Sequence, residues 1–359
     1  MPRLVYRLQL FIFVTVLTVT PSAAQNIPEV TQTDGLPNPN PTAIKGWGEL
    51  PNGRTWRSTA GIDIGPDGHI WTYERCSASD PPHTCNDATV DPILKLHSET
   101  GTVITSFGAG QFIYPDGIHV DDEGNVWITE SIENDEETKG HQVIKFSPSG
   151  QVLLRLGKPG VAGQNEGLLN KPRDVVTAAN GNIFVADEYN GQNGGNDSSR
   201  TGRIVKFDPH GDFLMAWQEF GKDLVQFQNP HAVAMDSRGR LFVADRGNNR
   251  IQIFDQDGNH LDSYVQFGRV NGLFITRDDM LYTIGSESNP GPQSDSPAGI
   301  RIGSVSADRV TAFIPPQVTD QPHGTTGEGV AVDFDGNVYS AEEPISEGTA
   351  TGGLTKFLR

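Results

Sequence analysis

Hydrophobic and polar residues alternate along this chain in pairs of short runs that recur six times. Each pair flanks a turn, a third run such as ILKL, VIKF or IQIF follows it, and most copies have a fourth. Alternation with a period of two, interrupted by turn residues, is typical of β-strands. The six copies are AGIDIGPDGHIWTYER, DGIHVDDEGNVWITES, RDVVTAANGNIFVADEY, HAVAMDSRGRLFVADR, NGLFITRDDMLYTIGS and EGVAVDFDGNVYSAEE.

Six four-stranded units predict an all-β fold, a six-bladed β-propeller, because a closed ring of blades leaves only short strand edges exposed. The last copy ends at LTKFLR without a fourth run. We therefore expect the N-terminal segment KGWGEL, residues 45–50, to supply the outer strand of the sixth blade and close the ring. The propeller would span residues 45–359, and residues 25–44, rich in Pro, Asn and Thr, would form an extended leader.

Residues 1–24 have the pattern of a signal peptide. Arg3 and Arg7 come first, an apolar run follows, and Ser22 and Ala24 form a small-residue cleavage site before Gln25. An uncleaved N-terminal membrane anchor is the alternative, although the run is short for a membrane span. After cleavage we expect a secreted or periplasmic protein with no membrane span, and a monomer.

Charge and cysteine content agree with export. The formal net charge of the whole chain is −18, which disfavours nucleic acid and anionic lipid as partners. The two cysteines, Cys76 and Cys85, are expected to pair as a disulfide in an oxidising compartment. A metal site formed by these cysteines with His83 is the alternative.

Two sets of residues are predicted to share one face of the ring. In an antiparallel hairpin, the start of the first strand and the end of the second lie at the same edge. The starts would line the mouth of the central channel, and the second-strand ends would surround it. The mouth set is Ala60, Asp116, Arg173, His231, Asn271 and Glu328, and the surrounding set is Arg75, Ser131, Glu188 with Tyr189, Arg246, Ser286 and Glu343.

Asp116, His231 and Glu328 come from alternate blades and are the candidate metal ligands. Two carboxylates and an imidazole suit a divalent ion such as Zn, Mn or Fe, and three protein ligands leave positions open for water or substrate. The alternative is that they are ordinary polar residues of a solvated channel mouth. His323 could replace Glu328 as a ligand if the strand register differs.

Arg75, Tyr189 and Arg246 are the candidate catalytic residues of the same face. A tyrosine beside cations can act as a base, and arginines can hold an anionic substrate group. Tyr189 could instead be an aromatic loop residue that covers its blade. Arg246 could instead form a salt bridge within its blade, since it lies in the run ADRGNNRI.

With the repeats aligned, the chain resembles NHL-repeat propellers and, more narrowly, the peptidyl-alpha-hydroxyglycine alpha-amidating lyase family. The resemblance rests on GPDGHIWTYER, IFVADEY, the ADR step and the NPH step. It implies cleavage of a carbinolamide bond with release of a peptide amide and glyoxylate. It also implies a zinc site that includes His231, with Arg75, Tyr189 and Arg246 in catalysis.

The chain departs from that family at three positions. The other two zinc histidines of the family fall at Asp116 and Glu328, and an aspartate that binds a structural calcium falls at Gly329. Carboxylate ligands donate charge and favour harder ions, so Mn, Fe or Ca would compete with Zn.

Three functional hypotheses follow. The first is an exported metal-dependent lyase acting on a small molecule or peptide that carries a carboxylate. The second is a non-catalytic propeller that binds a peptide, a glycan or a protein on this face. The third is a calcium-dependent, lactonase-like hydrolase, because Asp, Glu and Asn supply oxygen ligands.

Overall fold

The computed structural model describes residue 33 and residues 35–76, 85–189, 200–217, 219–285, 298–316, 327–343 and 352–359. These residues form six four-stranded antiparallel sheets arranged as a six-bladed β-propeller, which confirms the predicted fold. Two short 3-10 turns, Pro51–Gly53 and Arg246–Asn248, interrupt the strands. Within the described ranges, no helix is long and apolar enough to cross a membrane.

Within each blade, the four strands follow one another in order from the central channel outward. The first three blades contain β2 (Ile62–Ile64), β3 (Ile70–Tyr73), β4 (Ile93–Leu96) and β5 (Val103–Phe107); β6 (Pro115–Val120), β7 (Val126–Glu130), β8 (Gln142–Phe146) and β9 (Val152–Gly157); and β10 (Pro172–Thr177), β11 (Ile183–Tyr189), β12 (Thr201–Phe207) and β13 (Phe213–Trp217). The other three contain β14 (Pro230–Met235), β15 (Leu241–Asp245), β16 (Arg250–Phe254) and β17 (His260–Tyr264); β18 (Gly272–Ile275), β19 (Met280–Gly285), β20 (Gly299–Ser304) and β21 (Ala307–Ile314); and β22 (Gly329–Val332), β23 (Val338–Glu342), β24 (Gly353–Leu358) and β1 (Thr42–Trp47).

The N-terminal segment closes the ring, as expected, because β1 pairs antiparallel with β24. The strand covers Thr42–Trp47 rather than 45–50, so it begins three residues inside the predicted leader. Four of its first five residues are exposed and only Trp47 is buried. A strand with so little apolar alternation gives no sequence signal for its start, and its register is fixed by pairing with β24.

The hydrophobic core lies between blades. Six clusters of buried residues occur, and each joins two neighbouring blades, including the last blade and the first. Trp47 belongs to the cluster at the closure. Its ring and the ring of Tyr339 pack edge to face with their centroids 5.1 Å apart, and Lys356 Nζ lies 5.2 Å from the centroid of the Trp47 ring. Each blade therefore needs both neighbours to bury its two faces.

Hydrogen bonds from side chains link the inner strands of different blades along the channel wall. Asp63 Oδ2 accepts the Val120 N–H at 2.7 Å, and Asp174 Oδ2 accepts the Val233 N–H at 2.9 Å. His119 bridges Asp63 and Thr177, so it is a channel histidine with both ring nitrogens engaged. Asp63, His119 and Asp174 line a cavity of about 780 Å³ at the end of the channel opposite the predicted site.

Carboxylates at the ends of second strands hold the loops that precede the inner strands. Glu130 Oε1 accepts the N–H groups of Ile113 and Tyr114, and Asp187 and Asp245 each accept one N–H in the equivalent loop. Burial raises the pKa of Glu130 to about 8, although the two N–H donors oppose this shift. Folding therefore favours the protonated form of the Glu130 carboxyl group.

Ring closure should depend on Trp47. Trp47→Ala is expected to lower the free energy of unfolding by about 3–5 kcal/mol, because it opens a cavity between the last blade and the first. Chemical denaturation followed by tryptophan fluorescence measures this. Ile44→Ala is the matched control, since Ile44 lies in the same strand but is 42% exposed and should cost much less. Equal losses in the two variants would contradict the role assigned to Trp47.

Glu130 should make stability fall with rising pH. A pKa raised on folding adds stability below the unfolded value, and this is lost as pH rises through about 8. Glu130→Gln keeps the oxygen that accepts both N–H bonds and removes the titration. Between about pH 6.5 and about pH 9 its melting temperature should fall clearly less than that of the wild type. The exposed control Glu166→Gln should keep the wild-type slope, and an unchanged slope in Glu130→Gln would contradict the assignment.

Candidate active site

The predicted mouth residues surround one small cavity. Each lies at or next to the start of an inner strand, and together they line a space of about 60 Å³ at one end of the channel. The six are Ala60, Asp116, Arg173, His231, Asn271 and Glu328. The structure thus brings the three candidate metal ligands to one place, together with Arg173, for which no role was predicted.

Asp116 is held between two guanidinium groups. Arg75 Nη2 lies 3.1 Å from Oδ1, Arg173 Nη1 lies 2.6 Å from Oδ2, and the carboxylate is 4% exposed. Burial alone would raise the pKa of Asp116, but Arg173 and Arg75 outweigh burial and hold it below its usual range. Asp116 is therefore an ionised carboxylate whose two oxygens both accept charged hydrogen bonds.

His231 is a buried, neutral imidazole. Its Nδ1 lies 3.0 Å from the carbonyl oxygen of Asn271, and because a carbonyl can only accept, Nδ1 carries the proton. Nε2 is therefore the basic nitrogen, and it makes no hydrogen bond with any described residue. Burial, followed by the charge of Arg246, lowers the pKa of His231. The ring can thus accept a proton at Nε2.

Glu328 completes this side of the mouth. Its Oε1 accepts a hydrogen bond from Asn271 Nδ2 at 3.1 Å and lies 4.0 Å from Arg246 Nη2. Asn271 therefore connects Glu328, through its side chain, to His231, through its carbonyl oxygen. Glu328, the third candidate ligand, is therefore next to the amide of Asn271 and the guanidinium group of Arg246.

Arg75 is more deeply engaged than its predicted substrate-binding role implies. Its Nε donates to the Pro115 carbonyl at 2.9 Å, its Nη1 pairs with Glu343, and its guanidinium stacks 3.7 Å from the centroid of the Tyr114 ring. The side chain is 1% exposed, whereas Glu343 is 31% exposed. A substrate carboxylate could reach Arg75 only by displacing Glu343.

The run ADRGNNR separates into a structural arginine and a site arginine. Arg250 Nε lies 2.7 Å from Oδ2 of the fully buried Asp245 and forms the salt bridge within the blade. Arg246, the predicted site residue, instead extends to Glu328 and is 11% exposed. The proposed intrablade salt bridge exists, but it uses Arg250, so Arg246 is at the mouth.

Other predicted residues are only partly defined. Tyr189 ends β11 and pairs with Thr201, but its side chain, like His83, Ser286 and His323, lies outside the described residues. Its neighbour Glu188 is buried, and Glu188 Oε1 lies 3.7 Å from Arg173 Nη2. Arg173 thus contacts two carboxylates. One feature of the sequence pointed to a role for Arg173. It belongs to the same mouth set as Asp116 and Glu328, the acids that stand at the positions of the family's zinc histidines.

The donor set does not fit the predicted metal ion. Both oxygens of Asp116 face guanidinium groups, and Glu328 lies beside Asn271 and Arg246. A metal ligand must direct a lone pair at the ion, about 2.0–2.2 Å away for zinc. Across the described part of the chain, no group of three His, Cys, Asp or Glu side chains could hold a metal. The contacts of Asp116 and Glu328 therefore do not favour a metal, and the site at Asp116, His231 and Glu328 stays a prediction.

The cysteines pair as expected. The Cys76–Cys85 disulfide has an S–S distance of 2.03 Å, and it closes the loop that follows Arg75. These two cysteines are therefore not available as metal ligands.

The two arginines of ADRGNNR should differ in their effect on stability. Arg250→Ala removes the charged partner of the buried Asp245, so we expect a loss of roughly 2–3 kcal/mol in the free energy of unfolding. Arg246→Ala leaves the buried Asp245 paired with Arg250, so it should cost less than Arg250→Ala. Urea denaturation of both variants tests this. A larger loss for Arg246→Ala would reverse the assignment.

Comparisons with known proteins find relatives that are named as amidating enzymes. The NHL repeat model matches residues 227–254. The chain is 32% identical over 259 residues to "Peptidyl-glycine alpha-amidating monooxygenase A" of Xenopus laevis, covering 69% of this chain but only 25% of that protein. It is 30% identical over 254 residues to the "Probable peptidyl-alpha-hydroxyglycine alpha-amidating lyase" of Caenorhabditis elegans, covering 64% of this chain and 67% of that protein.

Solved structures agree on the architecture. A gluconolactonase from Xanthomonas campestris matches with a TM-score of 0.55 at 16% identity, covering 85% of this chain and 88% of that one. At this identity the match shows the fold alone. The sequence relatives are more similar to this chain, at about 30% identity. On this similarity the chain belongs to the peptidyl-alpha-hydroxyglycine alpha-amidating lyase family.

Proposed function

We propose that this protein is a lyase that cleaves the C–N bond of a carbinolamide carrying a carboxylate on the hydroxylated carbon. The products would be an amide and glyoxylate. The observation that supports this best is the position of His231: its proton is held on Nδ1 by Asn271, and the residue lines a cavity together with the charged residues Asp116, Arg173 and Glu328. The names of the sequence relatives support the choice of substrate.

His231 can carry out the proton transfers of this reaction. Nε2 takes the proton of the substrate hydroxyl, the oxygen forms a carbonyl, and the electrons of the C–N bond move to nitrogen. The imidazolium then returns the proton to the amide nitrogen, so the base is regenerated and no redox change occurs. The resemblance assigns the base to Tyr189 instead, and the assay below separates the two. No step uses a metal, because the mouth does not offer a suitable ligand set.

Arg246 and Arg75 are the proposed binding groups for the substrate carboxylate. Guanidinium groups bind carboxylates through paired hydrogen bonds. Arg246 Nη2 lies 4.0 Å from Glu328 Oε1, and Glu328 lines the cavity. Arg75 becomes available if the partly exposed Glu343 moves away, since a substrate carboxylate offers the same pairing.

A binding module without catalysis is the second candidate. The arginines of the mouth already pair with carboxylates of the chain, and the cavity of about 60 Å³ holds only a small group. A propeller that binds a ligand on this face without turnover would have the same features.

We also propose that the protein works outside the cytoplasm. The Cys76–Cys85 disulfide supports this, because disulfides persist in oxidising compartments. The acidic composition agrees with an exported soluble protein.

Glyoxylate release from N-benzoyl-α-hydroxyglycine tests the proposed reaction. The wild type should release glyoxylate and benzamide, and His231→Ala should reduce the rate by about 10²-fold or more, the range typical of a general base. Arg155→Ala is the control, because Arg155 pairs with Gln142 and Gln111 away from the mouth and should keep the wild-type rate.

Three results would contradict parts of this proposal. Loss of the rate in Tyr189→Phe with retention in His231→Ala would assign the base to Tyr189. Saturable binding of the substrate without glyoxylate would favour the binding module. Neither binding nor turnover would exclude this substrate class.

A further inference from the structure

Arg173 is the arginine of the mouth set, and the proposed reaction gives it no role. Its guanidinium lies 2.6 Å from Asp116 and 3.7 Å from Glu188, so it joins carboxylates of two blades. We infer that the guanidinium group of Arg173 takes the place of a divalent metal ion. It supplies positive charge at the mouth, so the site does not depend on a metal. This inference concerns the ion and not the reaction, so it does not rest on the proposed lyase activity.

The backbone fixes Arg173 in this place. Its carbonyl oxygen accepts a hydrogen bond from Thr129 Oγ1 of the neighbouring blade at 3.0 Å, and the same hydroxyl accepts the Gly117 N–H at 2.7 Å. A Cβ atom on Gly117 would lie 2.5 Å from the Arg173 carbonyl oxygen, so only glycine permits this approach. The start of β10 is therefore pressed against β6, which carries Asp116.

The charges around Arg173 come within one unit of balance without a metal. Among the described residues of the mouth, the carboxylates Asp116, Glu188, Glu328 and Glu343 face the guanidinium groups of Arg75, Arg173 and Arg246. Four negative and three positive groups leave little excess charge. A divalent ion placed beside three guanidinium groups would be repelled by each of them.

Burial makes this network more than a surface ion pair. Asp116 is 4% exposed and Glu188 is 5% exposed, whereas the Arg173 side chain is 25% exposed. Removing one partner of a buried ion pair leaves an uncompensated charge, which favours uptake of another cation. If Arg173 is the cation of the site, its removal should therefore create an affinity for metal ions that the wild type lacks.

Metal analysis of the intact protein is the first test. Purified wild type, without added metal, should contain far less than one Zn, Mn, Fe or Ca per chain. Its melting temperature should not change with a chelator or with added Zn²⁺. One bound metal per chain that is lost in His231→Ala, or a lower melting temperature after chelation, would overturn the inference.

Substitution of Arg173 is the second test. The melting temperature of Arg173→Gln should rise with increasing Zn²⁺, since an ion that binds the folded state stabilises it. Arg173→Lys is the matched control, because it keeps the positive charge, and it should behave like the wild type. Stabilisation of all three proteins by Zn²⁺, or a response of Arg173→Lys equal to that of Arg173→Gln, would overturn the inference.

A pair of designed variants gives a readout that does not depend on activity. Asp116→His with Glu328→His restores imidazoles on blades two, four and six, and it is made with Arg173 retained or with Arg173→Gln. Co²⁺, which stands in for zinc and absorbs visible light when protein-bound, should bind much more tightly to the variant that lacks Arg173. Equal Co²⁺ binding by the two variants would show that Arg173 does not exclude the metal.

Discussion

Burial of apolar side chains between neighbouring blades is the interaction on which the rest of this structure depends. A single four-stranded sheet has two apolar faces and no partner within itself, so it is stable only between two other blades. Every hydrophobic cluster joins two blades, and the cluster at Trp47 joins the last to the first. The ring must therefore close before any blade is fully buried, and the pairing of β1 with β24 provides that closure.

Closure also determines the site. Six inner strands converge on the channel, and their first residues are pressed together because glycines such as Gly117 and Gly329 allow the backbones of adjacent blades to approach closely. Charged residues at these positions must then share a small volume. Carboxylates and guanidinium groups satisfy one another there, and His231 keeps one nitrogen available because Asn271 engages the other.

Sequence reasoning could predict which residues reach this mouth, because strand alternation and the turn position fix the face on which each residue lies. It could not predict their pairing. Arg246 and Arg250 are four residues apart in one run, and only their placement relative to Asp245 and Glu328 separates the structural arginine from the site arginine. Arg173 was placed at the mouth by the repeat, but its contact with Asp116 joins residues 57 apart on different blades. The start of β1 was also beyond prediction, since its exposed residues carry no alternation.

The sequence by itself determined the all-β class, the six blades, the ring closure and the six residues at the channel mouth, because each follows from local alternation and from counting repeats. The tertiary structure decided how those residues interact. Ion pairs and hydrogen bonds between blades depend on distances that no local pattern encodes, and they join the predicted ligand residues to guanidinium groups and to the amide of Asn271.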